Sequence, residues 1–174
     1  MSLASDGNIL YIGTGHGNIH TWNVNHWVGL KEIGRQSMES IPDMCITSDN
    51  KYLFLCCNNG SIVQYNLLHD SNEHDYGALH ESEICRLALT PCDRWLFSSD
   101  ADGHIKQIYV PEKTLLKDFG RVHANRILSI LPTMDSKYLY TADESGEVLQ
   151  FRISEKEVKK SLTEALSNSI TCMV

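Results

Sequence analysis

The sequence predicts an all-β protein assembled from four copies of one antiparallel unit, and three observations predict it. The first is a glycine repeat. Gly17, Gly60, Gly103 and Gly146 stand 43 residues apart, and each opens a similar run, as in Gly60-Ser-Ile-Val-Gln-Tyr-Asn-Leu. The second is that other columns keep the same spacing without a gap: Leu10, Leu53, Leu96 and Leu139; Tyr11, Phe54, Phe97 and Tyr140; Ile41, Ile84, Ile127 and Ile170. The third is an apolar period of two inside each unit, which is the mark of half-buried strands.

The elements of a unit follow in order. A first strand starts at the isoleucine column, as in Ile84 to Leu89 or Ile127 to Leu131. Turn residues close it: Ser48-Asp49-Asn50, Pro91-Cys92-Asp93 and Asp135-Ser136, whose side chains hydrogen-bond their own backbone and tolerate tight turns. A second strand such as Tyr52 to Leu55 runs to the repeat glycine, which supplies the positive φ that a tight hairpin demands. The third strand carries Ile62, Tyr65 and Leu67, and a weaker fourth follows, for example Thr114 to Phe119. Gly34, Gly77 and Gly120 form a further column that Thr163 breaks. Four antiparallel strands in about 43 residues is the arithmetic of a propeller-type blade. The expected organisation is a single segment over 1–174: a partial unit 1–37, blades over 38–80, 81–123 and 124–166, and a terminal strand over 167–174. Residues 154–166 carry two readings. Ser154-Glu155-Lys156-Glu157 matches a capping box with Val158, Leu162 and Leu166 at helical spacing, whereas the repeat makes Val158 to Leu162 an outer strand.

Composition narrows the function classes. The chain has 174 residues, 42% of them apolar and 21% charged, and a net charge of −7. These are globular proportions, and the acidic balance excludes the electrostatic footprint of a general nucleic-acid binder. The N-terminal residues show no basic region followed by an apolar run, so a secretory signal is not expected. The longest uncharged stretch, Tyr52 to Leu68, has Asn58-Asn59-Gly60 at its centre and reads as a hairpin, not a membrane span. Six cysteines, Cys45, Cys56, Cys57, Cys85, Cys92 and Cys172, show neither a CxxC pair nor zinc spacing. They read as reduced thiols in strands, and the expected location is the cytoplasm or another reducing intracellular compartment.

The repeats resemble WD-repeat β-propeller blades over essentially the whole chain. Ser48-Asp49-Asn50-Lys51-Tyr52-Leu53 and Ser99-Asp100-Ala101-Asp102-Gly103 match best, and Trp22-Asn23 stands where the family has Trp-Asp. The tryptophan column then reads Trp22, Tyr65, Ile108 and Phe151. The resemblance implies a hydrogen-bonded His–Ser/Thr–Asp–Trp network in each blade, of which His80, Ser98 and Asp102 keep three parts and His123 and Thr141 two. It also departs from the family: Gly77 and Gly120 precede His80 and His123 by three residues instead of one.

Few residues invite chemistry. Gly13-Thr-Gly-His-Gly joins strand to strand instead of opening a helix, so it is not a phosphate loop. Asp100-Ala-Asp102-Gly103 echoes a calcium loop, but the twelfth ligand position falls on Tyr109 where a glutamate is required. His69, Asp70, Glu73, His74 and Asp75 form a polar cluster in an apparent loop insertion, the one foothold for a metal-dependent alternative. Arg35, Arg121 and Arg126 fall in loops between successive blades and are candidates for contacting an acidic or phosphorylated peptide.

The expectation is a non-catalytic interaction scaffold with no cofactor, binding a protein or peptide through loops on a propeller face. The function is what the family resemblance implies. A fragment of a larger propeller without separate activity is the alternative. The chain is expected to form an open arc whose unpaired edges would allow self-association, with closure by Ile170 to Val174, in cis or between two copies, as the competing arrangement.

Overall fold

The computed structural model describes residues 1–33, 40–154 and 158–161. The described chain is all-β: four sheets of four strands, each strand hydrogen-bonded to the next in sequence. The first sheet holds β1 (Ser2–Leu3), β2 (Ile9–Gly13), β3 (Ile19–Asn23) and β4 (Val28–Ile33). The second holds β5 (Met44–Ile46), β6 (Tyr52–Cys56), β7 (Ser61–Asn66) and β8 (Ser71–Ala78). The third comprises β9 (Ile84–Leu89), β10 (Trp95–Asp100), β11 (His104–Tyr109) and β12 (Thr114–Arg121). The fourth comprises β13 (Ile127–Pro132), β14 (Tyr138–Asp143), β15 (Val148–Arg152) and β16 (Val158–Ser161).

The repeat columns become cross-strand pairs. Leu10 pairs with Trp22, Leu53 with Tyr65, Leu96 with Ile108 and Leu139 with Phe151, always across the central hairpin. Leu53, Leu96, Leu139, Ile84 and Ile127 are fully buried and Ile41 nearly so, while Lys51, Arg94 and Lys137 are exposed at the turns. The hairpin glycines Gly60 and Gly103 have φ of 79° and 86°. Each packs so tightly that an added Cβ would lie 2.1 Å from the His80 carbonyl oxygen, or 2.2 Å from that of His123.

Several expectations need correction. The first unit is a complete four-stranded sheet and not a partial one: Ser2 and Leu3 pair with Tyr11 and Leu10. Those two residues are enough to place a first strand. Of the two readings for 154–166, the strand holds over Val158–Ser161, whose backbone pairs with β15; ladder bonds to a preformed edge override a weak helical propensity. The apparent loop around residues 69–75 is largely strand β8, because outward polar residues alternate with the pleat. Gly34, Arg35, Leu162, Thr163, Leu166, Cys172 and the segment 167–174, including the Ile170–Val174 ends invoked for closure, lie outside the described residues.

The chain divides into two compact units, Met1–Ile84 and Cys85–Val174. The first has a core of Ile19, Ile33, Ile41, Leu53, Leu55 and Tyr65 among others. The second packs Phe97, Ile105, Ile127, Leu139, Leu149 and Phe151, with the Phe119 ring edge-on to Phe151 at 5.7 Å between centroids. Among the described residues no helix is long and apolar enough to cross a membrane.

Candidate functional site

The best-defined polar centre lies in the fourth blade. His123 precedes β13, Thr141 and Asp143 end β14, and Glu147 precedes β15, so one hairpin and the lead into its neighbour strand supply all four. His123 Nε2 lies 2.7 Å from Thr141 Oγ1. On the other side of the ring, Nδ1 lies 3.5 Å from Asp143 Oδ2 and 3.3 Å from Glu147 Oε2, yet it makes no hydrogen bond of acceptable geometry. Asp143 also organises the turn: its Oδ1 accepts from the Ser145 and Glu147 amides at 3.0 and 2.9 Å and from the Ser145 hydroxyl at 2.7 Å. Burial pushes the His123 imidazole below its ordinary pKa, against the pull of Asp143 and Glu147. Burial pushes Asp143 up, but the Ser145 hydroxyl and the Glu147 amide outweigh it and leave the carboxyl low.

Thr141, His123 and Asp143 have the connectivity of a nucleophile, a base and an orienting acid. All three are buried, with the Thr141 and Asp143 side chains sealed from solvent. A substrate has no access to that hydroxyl, whose contact with Nε2 satisfies one side of the buried ring and leaves Nδ1 unmatched.

In the fourth blade the acid beside the histidine is Asp143; its counterpart one repeat earlier, Asp100, lies beside His104. Asp102, the residue named from the sequence, is exposed at the turn and donates its backbone amide to Asp100 Oδ1 at 3.1 Å. Asp100 is buried, accepts the His104 amide at 2.8 Å and faces His104 Nδ1 at 3.1 Å. His80 and Ser98 are each buried, the first in the unit Met1–Ile84 and the second in the unit Cys85–Val174. The missed signal was the column Asp100 and Asp143, which Cys57 and Thr14 interrupt in the first two units.

A second repeated device also went unread. Thr47, Thr90 and Thr133 stand 43 residues apart, and each hydroxyl accepts the amide of the residue five further on, at 3.0 to 3.1 Å. Thr47 and Thr133 donate to Asp49 and Asp135 at 2.6 Å; Cys92 takes that place in the third blade, 3.4 Å from the Thr90 hydroxyl.

The arginine loop differs from its sequence reading. Arg121 directs Nη2 to the Ala124 carbonyl at 2.7 Å and Nε to that of His123 at 3.3 Å, so its guanidinium clasps its own loop. Arg126 is exposed. The 69–75 cluster disperses: Asp70 accepts from Lys31 and from the Tyr65 hydroxyl, Glu73 from Asn66 at 3.1 Å and Asp75 from the Gly77 amide at 2.8 Å, while His74 meets Tyr76 edge-on. Each of the three carboxylates already has a partner, and alternation along the strand separates neighbours.

The first blade carries an unusual surface. In the tryptophan column Tyr65, Ile108 and Phe151 are buried, whereas Trp22 is 36% exposed. Its ring lies over Gly29, 3.4 Å from where a Cβ on that residue would fall. Trp27, Val28 and Leu30 beside it are 76%, 53% and 52% exposed. A shallow groove of about 480 Å³ runs along this sheet between Ile12, Trp22 and Leu30. Four large apolar side chains thus stand exposed on and beside the β3–β4 pair.

Comparison with known proteins agrees with the architecture. The WD domain, G-beta repeat model (WD40) matches residues 78–108, which include most of the central hairpin of the third blade. No curated protein matches the chain in sequence. Among solved structures, Kuenenia stuttgartiensis hydrazine synthase is similar in fold, with a TM-score of 0.81 at 11% identity over 92% of this chain. The chain spans about half, 47%, of that structure's length. The four blades share a 43-residue repeat, and with a WD repeat matched in the third the chain is similar to WD-repeat β-propeller proteins.

Proposed function

We propose that this chain is a non-catalytic protein-interaction scaffold whose protein partner packs on the apolar outer surface of the first blade. The observation that carries the reading is the exposed set Trp22, Trp27, Val28 and Leu30. Tryptophan is the side chain most enriched at interface hot spots, and it gains most when a partner excludes water from it. The WD-repeat resemblance supports a binding role in general. The sealed state of the His123 centre supports a role without catalysis. Free thiols at Cys56, Cys57 and Cys92 support work in a reducing compartment such as the cytoplasm.

The clasp made by Arg121 moves the proposed contact from the inter-blade loops to the β3–β4 surface. Affinity capture from cell extract with the wild-type chain and with a Trp27→Ser/Leu30→Ser variant tests it. The expected result is a protein retained by the wild type and lost by the variant, with both chains melting at the same temperature. An identical retained set on both chains, or none on either, removes the reading.

A further inference from the structure

We propose that His123, Asp143 and Glu147 form a divalent-cation site of the zinc class in the fourth blade. The three ligand atoms lie within 4.8 Å of one another. His123 Nδ1 is sealed from solvent, makes no hydrogen bond and points between two carboxylates, at 3.3 Å from Glu147 Oε2 and 3.5 Å from Asp143 Oδ2. Zinc bonds of about 2.0–2.1 Å on a tetrahedron place ligand atoms roughly 3.3–3.4 Å apart. Both separations from Nδ1 are close to that edge length.

The surroundings are those of a metal-binding histidine. Thr141 Oγ1 at 2.7 Å occupies Nε2; when Nε2 donates, the tautomer leaves the Nδ1 lone pair facing the carboxylates. Between two carboxylates that nitrogen carries either a proton or a cation, and zinc takes the place of the proton. Asp143 is held by the Ser145 and Glu147 amides through Oδ1, while Oδ2 lies beside the histidine and accepts from Asn125 Nδ2 at 3.4 Å. Glu147, 35% exposed, gives the site a path to solvent, and water would complete a fourth position. One nitrogen and two carboxylates suit zinc or a neighbouring first-row ion better than calcium, which takes six to eight oxygens. The site is separate from the 69–75 cluster, whose carboxylates are already partnered.

The test is calorimetric titration of the metal-free full-length chain with zinc chloride, repeated on Glu147→Gln. That variant keeps the backbone amide that Asp143 uses. The expected result is one zinc per wild-type chain, a melting temperature that rises with zinc, and affinity about tenfold or more weaker in the variant. Cobalt(II) should give a visible four-coordinate spectrum without the near-ultraviolet thiolate band, and calcium should do nothing. Three results would each overturn the site: no zinc uptake by the wild type, equal uptake by the variant, or a cobalt–thiolate band. Should Glu147→Gln melt well below the wild type without metal, the wild-type stoichiometry and the cobalt spectrum decide.

Discussion

His123 shows how a buried polar side chain is built into a strand protein: one ring nitrogen is matched by Thr141, and the chain spends a buried residue on holding that partner. Replacing Thr141 by Val leaves Nε2 buried without a partner, so the fold should lose about 1–3 kcal/mol, read from chemical denaturation. A loss below half a kilocalorie would mean that the contact is incidental. The residue scale was also where the sequence was hardest to read. Asp100 closes strand β10 and is buried, whereas Asp102, two residues on in the hairpin turn, is exposed; residue type alone does not tell the two acids apart. The Thr47, Thr90 and Thr133 column was hidden because hydroxyl-to-backbone bonds leave no hydrophobic period to detect. Cysteine reactivity separates by the same logic. Burial drives the Cys56 thiol far up, with the Asp43 charge adding to it. Cys92 is exposed; burial pushes it up slightly, but bonds from Thr90 and Ser136 win and leave it below its ordinary value. Under limiting iodoacetamide, peptide mapping should find Cys92 alkylated well before Cys56, Cys57 and Cys85. Equal labelling would contradict the burial of those three.

The blade hairpin is the element that the repeat describes best, because its glycine serves two purposes at once. Gly103 takes a φ of 86° and brings its backbone against the His123 carbonyl, while its own carbonyl accepts the Val122 amide at 2.9 Å. Gly103→Ala should cost on the order of 2–4 kcal/mol, since both the backbone angle and the space are refused. Gly77 has a φ of 69° but nothing within 4 Å of an added Cβ, so Gly77→Ala should cost only about 1–2 kcal/mol of backbone strain. Denaturant midpoints of the two variants measure the difference; equal losses would show that the close approach is unimportant. Central hairpins were legible because the leucine column and its cross-strand partners are buried in the second, third and fourth blades: Leu53 with Tyr65, Leu96 with Ile108, Leu139 with Phe151. Outer strands were not. β8 shows the burial pattern of a surface strand with hardly an inward residue, and a strand of that kind has the composition of a loop. β16 carried a helical spacing that pairing with β15 overrode.

At the scale of the whole molecule, the positive-φ hairpin glycine recurs in all four blades and the threonine corner in three, and the two compact units each bury a core of their own. That division was not legible, because the 43-residue columns run through it without a break. The shared devices carry charge, and so the chain as a whole should respond to acid. Asp49 and Asp135 are held below the usual carboxylate range chiefly by the Thr47 and Thr133 hydroxyls. Asp70 is held there chiefly by Lys31, and Asp6 by the Asn8 amide. In Asp118 burial pushes upward, but the Lys106 ammonium and the Gly120 amide prevail. Each of these carboxyls binds its proton less readily folded than unfolded. Their contribution is therefore complete above the unfolded carboxylate value of about 3.9 and is lost as pH falls through the lower folded values. The net charge of −7 opposes this, because protonation first relieves repulsion between acids. That relief is long-ranged and screened by salt, whereas the hydrogen-bonded corners are local and are not. Melting temperatures followed by circular dichroism should hold level from neutral pH to about 5 and then fall steeply below about 4. Added salt should flatten the upper part of the profile and leave the acid limb in place. A melting temperature that stays level into strong acid would show that the Thr–Asp corners hold no stability.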